Sequence, residues 1–269
     1  MSAIIRILFI ALFTVCLLGC TPANIKEPLI PSREYSIQSV LWQQHAAEYR
    51  ALAYQTYRLA RLRLDQILDT EEKRITTAAI LTDIDETVLD NSAFNGKLIA
   101  LDSAYSRSLW LEWGELADAD TIPGALGFFN YAVEKGVEIF YISNRYSEQK
   151  SATIKNLKKF GFPYADESHI LLREKSGEKE SRRQSLAGTH EIVLLLGDNL
   201  SDFSSVFDRQ STEKRNALVD SLNQMFGDRF IIFPNPMYGD WESQGIYEGR
   251  FDWAPAQVDS LRRHKIQSF

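Results

Sequence analysis

Ile80-Leu81-Thr82-Asp83-Ile84-Asp85-Glu86-Thr87-Val88-Leu89 is the stretch that fixes the fold class of this 269-residue chain. An apolar, β-branched run ends abruptly in two aspartates one residue apart. Side chains alternate along a strand, so Asp83 and Asp85 leave its end on the same side. In an open α/β sheet, ligands bind at the carboxyl ends of the strands. Two carboxylates crowded there repel each other unless something positive sits between them. A hard divalent cation meets that need, and magnesium takes carboxylate and phosphate oxygens. The pattern returns in Leu194-Leu195-Leu196-Gly197-Asp198-Asn199-Leu200-Ser201-Asp202. Gly197 lets the backbone turn tightly, and if a helix starts there Asp198 and Asp202 share a face. Two such acidic clusters about a hundred residues apart point to magnesium-dependent phosphoryl chemistry.

Around these two stretches, apolar strands alternate with amphipathic helices. Strands are expected at 78–82, 137–142, 169–172, 192–196 and 230–233. Helices are expected at 106–116, 125–135, 148–160, 179–186 and 214–226. Val40, Leu41, Ala47, Leu52, Tyr54, Leu59, Leu62 and Leu64 recur at near-helical spacing, which predicts one or two long helices over 37–68. Such alternation, with strands apolar throughout, means a Rossmann-like parallel sheet covered on both faces. The 45% apolar content supports one large domain. A net charge of −6 leaves no basic footprint for a nucleic-acid polymer. The N-terminal helices offer either an intramolecular packing face or a homodimer surface.

Residues 1–19 stand apart. The apolar run from Ile7 to Leu18 is too short for a comfortable membrane span and has the size of a signal-peptide core. It ends in Leu17-Leu18-Gly19-Cys20, which resembles the lipobox of bacterial lipoproteins. That resemblance implies cleavage before Cys20, a lipid on its sulfur, and a protein anchored outside the cytoplasm, in the outer membrane of a Gram-negative cell. Residues 20–36 then read as a tether and residues 37–269 as the domain. The two cysteines are Cys16 and Cys20, so the domain has no thiol for a disulfide, a nucleophile or a zinc site.

Asp83-Ile84-Asp85-Glu86-Thr87-Val88-Leu89-Asp90-Asn91 and Gly197-Asp198-Asn199-Leu200-Ser201-Asp202-Phe203 resemble the two signature motifs of the bacterial class C acid phosphatases, four-aspartate members of the haloacid dehalogenase superfamily. Phe140-Tyr141-Ile142-Ser143-Asn144-Arg145 is similar to the superfamily's second motif, and Lys179-Glu180-Ser181-Arg182-Arg183 to its third. The resemblance implies a haloacid dehalogenase-like core with a small helical cap around 91–122. It implies Asp83 as nucleophile and Asp85 as general acid and base, with an acidic optimum because Asp85 must hold a proton. It implies Mg²⁺ held by Asp83, Asp198 and the backbone carbonyl of Asp85, with Asp202 completing the acidic shell. Ser143 and Lys179, the latter preferred to Lys175, would bind the phosphoryl group, supported by Asn144, Asn199 and Arg182. Positioning and charge neutralisation of this kind carry most of phosphoryl transfer. Glu86 reads as a helix-start or supporting residue, Asp90 and Asp102 as structural, and the four histidines likewise.

The substrate would be a phosphomonoester, with nucleoside monophosphates first. Phe94, Trp110, Trp113 and Tyr238 are candidates for stacking on a base, as the family's specificity lies in its cap. Phe94 stands where the family has a tyrosine. The rival readings are a phosphotransferase or narrow sugar phosphatase on the same scaffold, and a non-catalytic surface-binding lipoprotein.

Overall fold

The computed structural model describes residues 31–71, 77–175 and 177–269. The expected signal peptide, Cys20 and all but the end of the expected tether lie outside the described residues. Ser32 and Arg33 already bond the side chain of Asp102, at 2.9 Å each, so the last tether residues are docked on the domain.

Two helices open the fold, α1 (Ile37–His45) and α2 (Ala47–Glu71). Strand β1 (Ala78–Thr82) follows, and β2 (Leu89–Asp90) leads into cap helices α3 (Ser92–Ala100) and α4 (Arg107–Leu116). Strand β3 (Asp120–Thr121) pairs antiparallel with β2, so the cap segment is pinched closed at its base. Then come α5 (Ala125–Glu134), β4 (Glu138–Tyr146), α6 (Lys150–Phe160), β5 (Ile170–Arg173) and α7 (Glu180–Ala187). The chain continues through β6 (Glu191–Gly197), α8 (Thr212–Ser221), β7 (Phe230–Ile232), α9 (Asp240–Ser243) and α10 (Pro255–Lys265).

The five longer strands form one parallel sheet in the order β5-β4-β1-β6-β7. Alternation along β1 sends Ala78 and Ile80 to one face and Ala79 and Leu81 to the other. The first face takes α2 and α5. The second is smaller and is covered in part by Leu186 of α7. All five residues of β1 are buried, as a central strand of a covered sheet requires. At the opposite, amino-terminal side of the sheet, His169 and His190 both bond Glu138, at 2.8 and 3.0 Å. Both sit remote from the acidic motifs.

The expected long helices are present, but the buried face of α2 differs from the leucine pattern. Tyr49, Ala53, Tyr57, Ala60, Leu64 and Ile67 pack on the sheet, while Leu52, Tyr54, Leu59 and Leu62 are exposed. Small alanines let the helix approach the sheet closely. The tyrosines bring a hydroxyl into reach of backbone groups. Tyr57 uses its hydroxyl on the carbonyl of Thr87, in the loop that follows Asp85. Gly124 makes the fit possible: its φ is +93°, and a Cβ there would lie 3.2 Å from the rings of Tyr54 and Tyr57.

Removing the Tyr57 hydroxyl leaves the Thr87 carbonyl buried without that donor. Tyr57→Phe should therefore lower stability by about 1–3 kcal/mol. Urea unfolding should show a lower midpoint with an unchanged slope.

Candidate active site

The two decisive strands end side by side. The amide of Asp83 donates to the carbonyl of Leu196 at 2.9 Å, carrying the β1–β6 pairing one residue past the strand. Asp83 therefore sits beside Gly197 and Asp198. Carboxylate oxygens of Asp83, Asp198 and Asp202 all lie within 4.8 Å of one another. Gly197 serves this approach in a way the turn alone does not explain. A Cβ there would meet the Asp202 carboxylate at 2.4 Å, so the missing side chain is what lets Asp202 fold back. Residues 200–202 form a short 3₁₀ turn, and Asp202 accepts from the Asn199 amide at 2.9 Å. Asp198 and Asp202 thus converge through a turn that closes on itself.

Lys179 stands between these acids. It precedes α7, is buried, and its ammonium donates to Asp83 and, at 2.7 Å, to Asp202. Lys175 is exposed. Arg183 fixes the helix to the same turn by donating to the carbonyls of Ser201 and Asp202, at 2.8 and 2.9 Å. Burial opposes the Lys179 charge, yet Asp202 and Asp83 outweigh it and hold its ammonium above the ordinary lysine value. Burial, with Asp202 and Asp85 adding repulsion against the pull of Lys179, lifts the Asp83 carboxyl to about 7. Asp198 is pushed well above the carboxylate range by burial and by Asp202 and Asp83.

The donor set fits a hard divalent cation. One oxygen of Asp83 is taken by Lys179, and one of Asp198 by Asn235 at 2.7 Å. Their other oxygens, Asp83 Oδ2 and Asp198 Oδ1, accept nothing from any described residue. Both oxygens of Asp202 are engaged, by Lys179 and by the Asn199 amide. Asp202 therefore shapes the cluster and positions the lysine, while Asp83 and Asp198 keep free oxygen ligands.

The side chain of Asp85 turns away from this triad. Arg145, almost wholly buried, grips it through Nε at 2.9 Å and a terminal nitrogen at 2.8 Å. Asn91 adds a bond at 2.8 Å and Ser143 one at 3.0 Å. Of the expected cation ligands, Asp85 can join only through its backbone. Ser143, expected on the phosphoryl group, here donates to Asp85. Asn144 accepts from Arg182, which also donates to the Ser143 carbonyl, each at 2.7 Å. Asn199 accepts from Arg215 at 3.2 Å. Each of these supporting residues shapes a strand end.

Arg145, Asn91 and Asn235 were not singled out from the sequence. Arg145 did carry a signal, an arginine two residues past the unbroken buried run of β4. Asn91 is a hub that also accepts from Trp113 at 2.8 Å. Glu86 is fully buried at a left-handed φ of +60°, in a turn and not at a helix start, with one oxygen bonded to the Asn91 amide.

Of the expected stacking residues, Phe94 and Trp110 need correction. Phe94 and Trp110 are buried against each other edge to face, centroids 4.9 Å apart, so they build the cap core. Trp113 is partly buried and held by Asn91. Tyr238 is half-buried in a loop organised by Asn235. The exposed aromatic beside the cap core is Tyr105.

Residues 23–241 match the family model of HAD superfamily, subfamily IIIB acid phosphatases. The class C acid phosphatase of Bacillus anthracis is 42% identical, with a TM-score of 0.85, over 89% of this chain and 100% of that one. A second structure of that enzyme, with tungstate bound, matches equally well. Among curated proteins, a stem 31 kDa glycoprotein of Glycine max is 30% identical over 58% of this chain and 57% of its own length. A stem 28 kDa glycoprotein of the same plant is 27% identical over 44% of this chain and 50% of its own. The chain spans about half the length of these plant relatives.

The raised carboxyls have a measurable consequence. Without a cation, folded Asp83 and Asp198 keep protons that an unfolded chain releases above about pH 4. The folded state then binds more protons, so stability falls as pH rises from about 4 to 7, by about 1.4 kcal/mol per pH unit for each proton kept. Groups held low, such as Asp166 at about 2, act below that window. Denaturation in EDTA should show a lower midpoint at pH 7 than at pH 5, a difference that saturating Mg²⁺ and Asp83→Asn each reduce, while the buried Glu86 keeps its own share.

Proposed function

The chain belongs to the class C acid phosphatases of the HAD superfamily, and from there we propose that it hydrolyses phosphomonoesters through an aspartyl-phosphate on Asp83 with Mg²⁺ as cofactor. The observation that carries this reading is the free Asp83 oxygen beside Asp198, with Lys179 on the other Asp83 oxygen. Asp83 Oδ2 attacks phosphorus, and the bond to the ester oxygen breaks. Lys179 offsets the combined charge of nucleophile and phosphoryl group. Asp85 gives its proton to the departing alkoxide, then takes one from the water that attacks the aspartyl-phosphate. Arg145, Asn91 and Ser143 hold the Asp85 carboxyl in one orientation for both transfers. A phosphoryl oxygen competes with Asp85 for the Ser143 hydroxyl, and Arg182 keeps that strand end in place. A divalent cation held by Asp83, Asp198 and the Asp85 carbonyl would neutralise charge developing on the phosphoryl oxygens. The B. anthracis enzyme binds tungstate, a tetrahedral oxyanion like phosphate, which supports a phosphoryl substrate.

Nucleoside monophosphates are the first substrate class, because the exposed ring of Tyr105 stands on the cap core whose Trp110 reaches Arg145. The leader ending in Cys20 supports a lipid-anchored enzyme outside the cytoplasm, in the outer membrane. Cys20→Ala should then move the protein from membrane to soluble fractions of its host.

Phosphate release from p-nitrophenyl phosphate and nucleoside monophosphates, with Mg²⁺ and with EDTA, tests the reaction. Asp83→Asn should lower kcat by about a thousandfold or more, and EDTA should abolish turnover. Full activity in EDTA would remove the cation, and an active Asp83→Asn would remove the nucleophile. Alcohol acceptors that raise product alcohol without raising phosphate would favour a phosphotransferase.

A further inference from the structure

Arg173 ends β5, directly opposite Tyr146 at the end of β4. This is the carboxyl edge of the sheet, where Asp83 and Asp85 also stand. Strands lie about 4.8 Å apart, so with β4 between them Arg173 sits on the order of 10 Å to the side of the strand that carries Asp83. Tyr146 directly follows Arg145, the residue that grips Asp85.

Two guanidiniums flank the Tyr146 ring, Arg107 at 4.6 Å and Arg173 at 5.2 Å from its centroid. Their electrostatic situations differ. Arg107 is neutralised by an ion pair with Glu148. Arg173 has no carboxylate partner among the described residues and is half-buried. Tyr105 stands beside this pair: its hydroxyl lies 3.4 Å from that of Tyr146, and just over half of its surface is exposed. Its ring meets Phe94 edge to face and leans on Trp110, which itself lies under the Arg145 guanidinium at 5.7 Å. An unbroken run of side chains thus leads from Asp85 through Arg145 and Trp110 to Tyr105, Tyr146 and Arg173.

A half-buried guanidinium without a counter-ion is costly unless a ligand supplies one. Stacking on Tyr146 holds its plane and leaves the donor fork free. The transferred phosphoryl group is already matched by Lys179, so the anion for Arg173 belongs to another part of the substrate. We propose that Arg173, with Tyr146 and Tyr105, binds a second anionic group on the leaving-group side, selecting aromatic phosphomonoesters that carry an additional phosphate. A nucleoside with phosphates on two ribose hydroxyls has this chemistry: a base for the tyrosines, one phosphate for Asp83 and one for Arg173. This rests on the phosphomonoesterase reading above.

The test compares p-nitrophenyl phosphate, adenosine 5′-monophosphate and adenosine 3′,5′-bisphosphate in the wild type, R173A and R173K. The wild type should show a lower KM for the bisphosphate than for the monophosphate. R173A should raise the bisphosphate KM about tenfold more than that for p-nitrophenyl phosphate, with kcat little changed, and R173K should recover part of the loss. Equal KM values for the two nucleotides in the wild type, or equal effects of R173A on all three esters, would overturn the assignment of Arg173. No turnover of p-nitrophenyl phosphate by the wild type would instead sink the phosphatase reading, and this inference with it.

Discussion

Three carboxylates brought together at the ends of β1 and β6, with a single lysine among them, are the constraint on which this structure turns. Like charges at such separations, out of bulk water, cannot all ionise without positive partners. Lys179 supplies one charge and engages Asp83 and Asp202. The remaining imbalance appears as the raised carboxyls of Asp83 and Asp198. A site left in that state suits a divalent cation and a dianionic phosphoryl group, the two components of the reaction proposed above.

The scaffold serves the cluster from two directions. From below, α2 reaches the catalytic loop through Tyr57 on Thr87, and Tyr49 lies close enough to Asp90, Glu86 and Asp198 for their charges to add to burial in raising its hydroxyl. Glu86, bonded at one oxygen and unpartnered at the other, is held well above the carboxylate range chiefly by burial. From the side, Arg145 ties β4 to Asp85 and reaches Asn91 at the base of the cap. Asp83 and Asp85, two positions apart, thus have distinct surroundings. One sits among carboxylates and a lysine, the other among an arginine and neutral donors. Such separation of environments is how two neighbouring carboxyls take different roles.

Much of the fold was legible in the sequence for a simple reason. The central strands β1 and β6 are continuous apolar runs, and only a sheet covered on both faces tolerates them. The four-aspartate pattern sits at their ends, where chain order alone places it. What the sequence hid lies in contacts between distant residues. The buried face of α2 is built from Tyr49, Ala53, Tyr57 and Ala60, which look less apolar than the leucines left in solvent. The two-residue strands β2 and β3 carry no periodicity. Arg145 acquires meaning only when the fold sets it against Asp85, sixty positions earlier. Phe94 and Trp110 looked like a base platform, but each is the other's packing partner. Residue type reported their apolar surface without showing what covers it.

The central claim, a single cation site made by Asp83 and Asp198 with Lys179 as its internal counter-charge, is tested most directly by calorimetric titration of the protein with Mg²⁺. One site per chain is predicted, lost in Asp198→Asn and tighter, though catalytically idle, in Lys179→Met. Undiminished binding by Asp198→Asn, or weaker binding by a folded Lys179→Met, would contradict it.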